Sequence, residues 1–209
     1  MDPDSIRVAV AYHSGHGHTA RQAEAVARGA AGVAATHVTL LDVAALNDAS
    51  WATLDRADAI VFGAPTSMGS PSAVFKAFAE ATTAVWADGM RWRGKVAAGF
   101  TNAQNLSGDK LNTLVDLAIL AAQHGMIWVG LDLYGGWNTS RGSAADLNRL
   151  GAWLGAMAQS DGDRSADAAP PASDLATAEH LGRRVAEVTR HLVRGRRAAI
   201  EAPNIATAA

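Results

Sequence analysis

The sequence predicts a doubly wound parallel α/β sheet with helices on both faces. Three observations carry that expectation. Five short apolar runs, at Ile6 to Tyr12, His37 to Leu41, Ala59 to Gly63, Val96 to Thr101 and Met126 to Leu131, alternate with segments of helical spacing. Such alternation implies parallel strands joined by right-handed crossovers. The first run passes through a glycine-rich turn straight into a helix, the repeating unit of these sheets. The chain has 209 residues, 49% of them hydrophobic and 18% charged, which suits one domain able to bury a full core.

Taken in order, Ile6 to Tyr12 reads as a strand, and Ala20, Ala23, Val26, Ala27 and Ala30 recur at helical spacing. Between them lies H-S-G-H-G-H-T, His13 to Thr19. A loop of hydroxyls and glycines entering a helix offers free N–H donors and the positive end of the helix dipole, both suited to a phosphate. Gly15 and Gly17 let the backbone approach the anion, and Ser14 and Thr19 add hydroxyls. Two templates fit. Gly15, Gly17 and Ala20 match the dinucleotide pattern G-x-G-x-x-A, with Asp42 where a ribose-binding acid belongs. The hydroxyls instead favour a terminal monophosphate, a dianion that needs more donors than a diester.

After the third run comes A-P-T-S-M-G-S-P-S, Ala64 to Ser72, before a helix carrying Val74, Phe75 and Phe78. Ser70 is the expected cap of that helix, with Pro71 in its first turn. The segment is either a plain connector or a backbone edge able to hydrogen-bond a planar heterocycle. Trp86 to Gly94 is a loop with two tryptophans, read as packing plugs. After the fourth run, Thr101 to Lys110 is polar, and the helix that follows repeats Leu111, Leu114, Ala118 and Ala121 before Gly125. His124 falls in its last turn, where the dipole favours a protonated imidazole. From Asp132 the alternation breaks down. Residues 132 to 173 read as an extended region, ending in the polar, proline-containing stretch Gln159 to Ser173. Leu175, Ala178, Leu181, Val185, Val188 and Leu192 form the stripe of a last helix that Gly195 ends, with Arg183, Arg184, Arg190 and Arg194 on a solvated face. The expectation is one domain over 1–195 and a frayed tail over 196–209.

Composition excludes several functions. There is no cysteine, so disulfides, thiolate catalysis and cysteine-ligated metals are absent. A formal net charge of -2 provides no field for nucleic acid or an anionic membrane. The first residues lack the basic and apolar regions of a leader, and no run of about 18 apolar residues occurs, so a cytoplasmic protein is expected. His13, His16 and His18 suggest a metal, but a glycine-rich anion loop points N–H groups inward, and no metal is expected.

Four motifs in order resemble the flavodoxin-like NAD(P)H:quinone oxidoreductases of the WrbA type: Y-H-S-G-H-G-H-T, then G-A-P-T-S-M-G-S followed by F-K-A-F, then W-A-D-G, then H-G-M. The first loop also fits the flavodoxin phosphate pattern [S/T]-x-[S/T]-G-x-T at Ser14, Gly17 and Thr19. The resemblance covers Ile6 to Leu131. It implies a five-stranded sheet of order 2-1-3-4-5 that binds FMN. The phosphate would lie at Ser14, Gly15, His16, Gly17, His18 and Thr19. The ring edge would run along Pro65, Thr66, Ser67, Met68 and Gly69, with further contacts from Thr101, Asn102, Ala103, Gln104 and Gly108. It also implies His124 as the catalytic residue, supporting charge on the reduced flavin, and Trp86 reaching in from a neighbouring subunit of a homodimer or homotetramer. The activity implied is two-electron transfer from NADH or NADPH to a quinone by a ping-pong mechanism. The rival reading is a flavodoxin-type electron carrier, which a weak net charge with scattered arginines disfavours.

Overall fold

The computed structural model describes residues 5–201, the side chain of Glu201 excepted. The first half alternates as expected: β1 (Ile6–Tyr12), α1 (His18–Ala31), β2 (Thr36–Asp42), α2 (Asp48–Arg56) and β3 (Ala59–Ser67). Then come β4 (Ser70–Pro71), α3 (Ala73–Ala81), α4 (Thr83–Ala87), β5 (Val96–Ala103), α5 (Lys110–Gln123), β6 (Ile127–Trp128), β7 (Ala156–Gln159) and α6 (Ala172–Glu201). The sheet order is β2-β1-β3-β5-β6, with β7 also on β5 and all of these pairs parallel. This is the expected 2-1-3-4-5 arrangement with its last position shared by two short strands.

Parallel strands sandwiched between helices must be apolar on both faces. Ile6, Val8 and Val10 pack toward α1 and α6, while Ala9 and Ala11 face α2, α3 and α5. Phe62, Phe75, Phe78 and Trp92 fill the second layer, and Trp92 Nε1 donates to Asp55 at 2.9 Å. That Trp92 is a packing plug agrees with the reading of its segment, whereas Trp86 lies half-exposed on α4 and plugs nothing.

The fifth strand does not run to Leu131. β6 pairs only with Val96 and Ala97, and β7 takes up the same edge at Phe100 to Ala103. Between these pairs a Cβ on Gly99 would lie 2.8 Å from the Trp128 ring, and one on Gly155 would lie 2.2 Å from the Gly99 carbonyl. Trp128 and Gly155 therefore fill the middle of the edge, Val129 N–H still reaches Ala97 O at 2.7 Å, and residues 130–154 leave the sheet. Leu131 N–H bonds to Trp153 O rather than to the ladder, and Arg184 of α6 donates to Gly130 O and Asp132, so that arginine is not merely solvated.

Two further differences are local. Ser70 does not cap α3; Ser72 Oγ accepts from Phe75 N–H, and Ser70–Pro71 instead pairs antiparallel with Thr66 and Ser67. Helix α6 continues through Gly195 to Glu201, with Arg196 donating to Gly94 O at 2.7 Å. Of the tail expected over 196–209, residues 196–201 are instead helical, and 202–209 lie outside the described residues.

Helices α1 and α6 meet backbone to backbone at Gly29 and Gly182. A Cβ on Gly182 would lie 1.9 Å from Val26 O, and one on Gly29 would lie 1.8 Å from Glu179 O. Alanine at Gly182 gains up to about 1 kcal/mol of helix propensity, but forces two rigid backbones apart. The clash wins: G182A should lose about 1–3 kcal/mol net, read as a lower denaturant midpoint at unchanged slope.

Candidate active site

In this architecture ligands sit beyond the carboxyl ends of the strands, at the point where strand order reverses. A cleft of about 1110 Å³ opens there, walled by the segments after β1, β3 and β5. Ser14, Gly15, His16, His18, Thr19, Pro65, Thr66, Ser67, Met68, Gly69, Asn102, Ala103, Gln104 and Gly108 all line it.

The first wall is an anion cradle. Gly17 precedes α1 in the left-handed region at φ 85°, and a Cβ there would meet Ala166 at 2.8 Å. Ser14 Oγ accepts from Ala20 N–H at 3.1 Å, which leaves its own proton to donate. The N–H groups of Gly15 to Thr19 find no acceptor among the described residues. Unpaired amides at a helix N-terminus are a ready anion site. His13, His16, His18 and Arg164 line the cleft, and Asp109 is its single carboxylate among the lining residues. His18 Nε2 bonds to Arg164 O at 2.9 Å and His13 Nδ1 pairs with Ser72 Oγ at 2.8 Å. Asp42 plays no ribose-binding part here: its carboxylate accepts from Ala44 N–H and caps the short turn after β2.

The second wall is a β-hairpin. Ser67 pairs with Ser70, and the loop residues Met68 and Gly69 have φ 48° and 86°. Both values are positive, as a type I′ turn requires. Met68 sits fully exposed at the tip, a position where a non-glycine residue is strained. The hairpin is held from α5: Asn112 Nδ2 donates to Gly69 O at 2.8 Å, and Thr66 Oγ1 lies 2.8 Å from both Thr101 Oγ1 and Thr113 Oγ1. Thr101 is therefore wholly buried beneath the cleft and supports Thr66.

The third wall is the turn after β5. Gln159 Nε2 donates to Gln104 O at 2.9 Å, and Lys110 Nζ donates to Asn105 O at 2.6 Å and Leu106 O at 2.9 Å. Lys110 has no exposed surface. Burial pushes its ammonium down to about 8, with Asp174 opposing the shift and Arg149 adding to it. The charged form thus costs about 3 kcal/mol below pH 8, a cost relieved as pH rises toward the ordinary lysine range.

His124 does not reach this cleft. Helix α5 starts at the cleft with Lys110, and fourteen residues of helical rise carry His124 roughly 21 Å away. Its Nε2 pairs with Thr82 Oγ1 at 2.8 Å, its ring lies 4.8 Å from Trp92, and it is 2% exposed. Burial lowers its pKa, so it is a neutral packing residue and not the protonated helix end the sequence suggested. Trp86, half-exposed on α4, is likewise not part of the cleft of its own chain. Not assigned to the site from the sequence were His13, Ser72, Asp109, Gly162 and Arg164 in the lining, and Lys110, Asn112 and Thr113 behind it; Asn105 falls in the Thr101 to Gly108 loop that was. His13 was legible as part of its loop; Gly162 and Arg164 lie some 150 residues downstream with no pattern to announce them.

A doubly wound sheet with an anion cradle after β1 and flanking loops after β3 and β5 defines a flavodoxin-like protein. The model of the NADPH-dependent FMN reductase family matches residues 6–132, and the chain belongs to that family. It is therefore an oxidoreductase of WrbA-like type with FMN and NAD(P)H as its cofactors. It is 45% identical to flavodoxin FldP of Pseudomonas aeruginosa, over 89% of this chain and 98% of that one. An NAD(P)H dehydrogenase (quinone) of Aromatoleum aromaticum is 32% identical, over 92% of this chain and 100% of that one. The crystal structure of a WrbA-like flavodoxin from Agrobacterium tumefaciens is 41% identical with a TM-score of 0.68, covering 90% of this chain and 99% of that one.

The residues present fit FMN: amides without acceptors among the described residues, hydroxyls and the nearby Arg164 suit a phosphate monoester. If the cradle carries much of the affinity, FMN at about 100 times its Kd should add roughly 2.7 kcal/mol to stability. Riboflavin should add much less at equal concentration. Equal thermal shifts from the two ligands would contradict the cradle.

Proposed function

We propose that this chain passes two electrons from NADH or NADPH to a quinone at a single open flavin face, the donor leaving before the acceptor enters. The observation that carries the reading is the row of amides from Gly15 to Thr19, without acceptors among the described residues, beside the hydroxyls of Ser14 and Thr19. Bound FMN supplies the hydride chemistry. The chain's own residues bind and orient: the cradle takes the phosphate, the strained hairpin at Met68 and Gly69 presents backbone to the ring edge, and the turn from Asn102 to Gly108 closes the far side. No nucleophile is required of the protein, and His124 holds Trp92 and Thr82 in place.

The relatives named NAD(P)H dehydrogenase (quinone) support this reading. A second one, an electron carrier, is favoured by the relative named flavodoxin FldP. Initial-rate plots against NAD(P)H at several benzoquinone concentrations separate them: parallel lines are expected for the enzyme. Reduction only through a ferredoxin or flavodoxin reductase, never directly by NADH or NADPH, would establish the carrier.

The proposal includes a homodimer or homotetramer. Leu111, Val115 and Ile119 form an exposed apolar stripe along α5, and Trp86 adds an exposed ring on α4. Light scattering of the FMN-loaded protein should give at least twice the mass of one chain at micromolar concentration, and a monomer there would refute it.

A further inference from the structure

Lys110 is absent from the cleft lining, yet it has no exposed surface and spends its ammonium on two consecutive backbone carbonyls, Asn105 O and Leu106 O. Gln159 Nε2 holds the carbonyl before them, Gln104 O. Three successive carbonyls are thus pinned from one side. Across a trans peptide the N–H of the next residue points opposite to the carbonyl. The amides of Asn105, Leu106 and Ser107 consequently face away from these clamps, and none finds an acceptor among the described residues. Gln104, Asn105 and Gly108 of the same turn line the cleft, while Leu106 and Ser107 line, with Lys110, a second cavity of about 750 Å³. A buried cation is a costly way to hold a loop unless its charge also acts on something nearby.

We propose that Lys110 is a positioning residue for the flavin: its ammonium fixes the turn that carries Gln104 and Asn105 along the cleft and lends positive charge to the electron-rich ligand this wall receives. The inference rests on the flavin reading above. The charged groups around it are Asp174 of α6, paired with Arg149 of the excursion at 2.7 Å, and Asp109, its neighbour in the chain. Asp174 is committed to Arg149 and to Gln159 N–H, so among the described residues Lys110 has carbonyls, and no carboxylate, as its hydrogen-bond partners. An anionic or electron-rich ligand stabilises the protonated lysine. Affinity is therefore full below the pKa of the free protein, about 8, and falls as pH rises through it.

The test is FMN binding by quenching of flavin fluorescence, on the whole chain and on K110M, from pH 7 to 9.5. For wild type the Kd should rise several-fold across that range. For K110M it should be at least tenfold weaker at pH 7 and independent of pH, with a melting temperature for the flavin-free protein no lower than wild type at that pH. Should K110M fail to fold, the wild-type series decides alone. A wild-type Kd flat from pH 7 to 9.5, or a K110M Kd within twofold of wild type, overturns the role of Lys110 while leaving the flavin reading intact. A wild type that binds no FMN at pH 7 overturns both.

Discussion

The first turn of α5 holds the ligand end of the molecule together. Where β3 and β5 run past the sheet their backbones lose ladder partners, and buried or half-buried peptide groups must find others. Lys110, Asn112 and Thr113 supply them within four residues. Lys110 takes the carbonyls of the turn after β5, Asn112 takes Gly69 at the hairpin tip, and Thr113 reaches Thr66 at the hairpin's base. Each neutral bond contributes only about 1 kcal/mol, and one to a charged group about 1.5–3. Their effect is geometric: two loops from different strands are referred to one rigid helix, so the walls of the cleft keep a fixed spacing.

The opposite wall works by leaving partners unmade. The amides of Gly15 to Thr19 find no acceptor among the described residues, and three imidazoles and Arg164 line the cleft beside them. Such a wall favours a dianion over a neutral ligand. The segment bearing Gly162 and Arg164 packs over the cradle, and Gly17 is the position that permits this, since any Cβ there would collide with Ala166. Fold and ligand chemistry thus meet at one residue: glycine is required at once for the left-handed backbone and for the approach of a distant loop.

What could be read from the sequence was what is local. The strand, loop and helix from Ile6 to Ala31 declare themselves through apolar runs and spacing, and the cleft residues on them and on the loops after β3 and β5 follow from where strands end in a parallel sheet. His124 misled because a family likeness assigned it to the flavin, whereas the helix it terminates carries it to the far end of the sheet. Ser70 and Ser72 both stand before α3, and Pro71 looked like a helix start. The choice between the serines was made by a hairpin pairing, invisible to propensity. The split of the fifth strand depends on Trp128 and Gly155 meeting at Gly99, three positions that no periodicity connects.

That split edge gives the excursion from residues 130 to 154 a physical link to the cleft. Arg149, at its end, forms a buried bidentate pair with Asp174 at 2.7 and 2.8 Å, and also donates to Gln159 Oε1 at 3.1 Å. Gln159 is the last residue of β7 and holds Gln104 O, while Asp174 and Arg149 oppose one another in setting how readily Lys110 keeps its proton. A buried ion pair of this kind adds little net stability, because desolvation consumes most of the attraction, yet removing one partner leaves a costly lone charge. Its value lies in fixing positions. Through Gln159 and Lys110, a segment that lies outside the sheet orients backbone carbonyls on the third wall of the cleft.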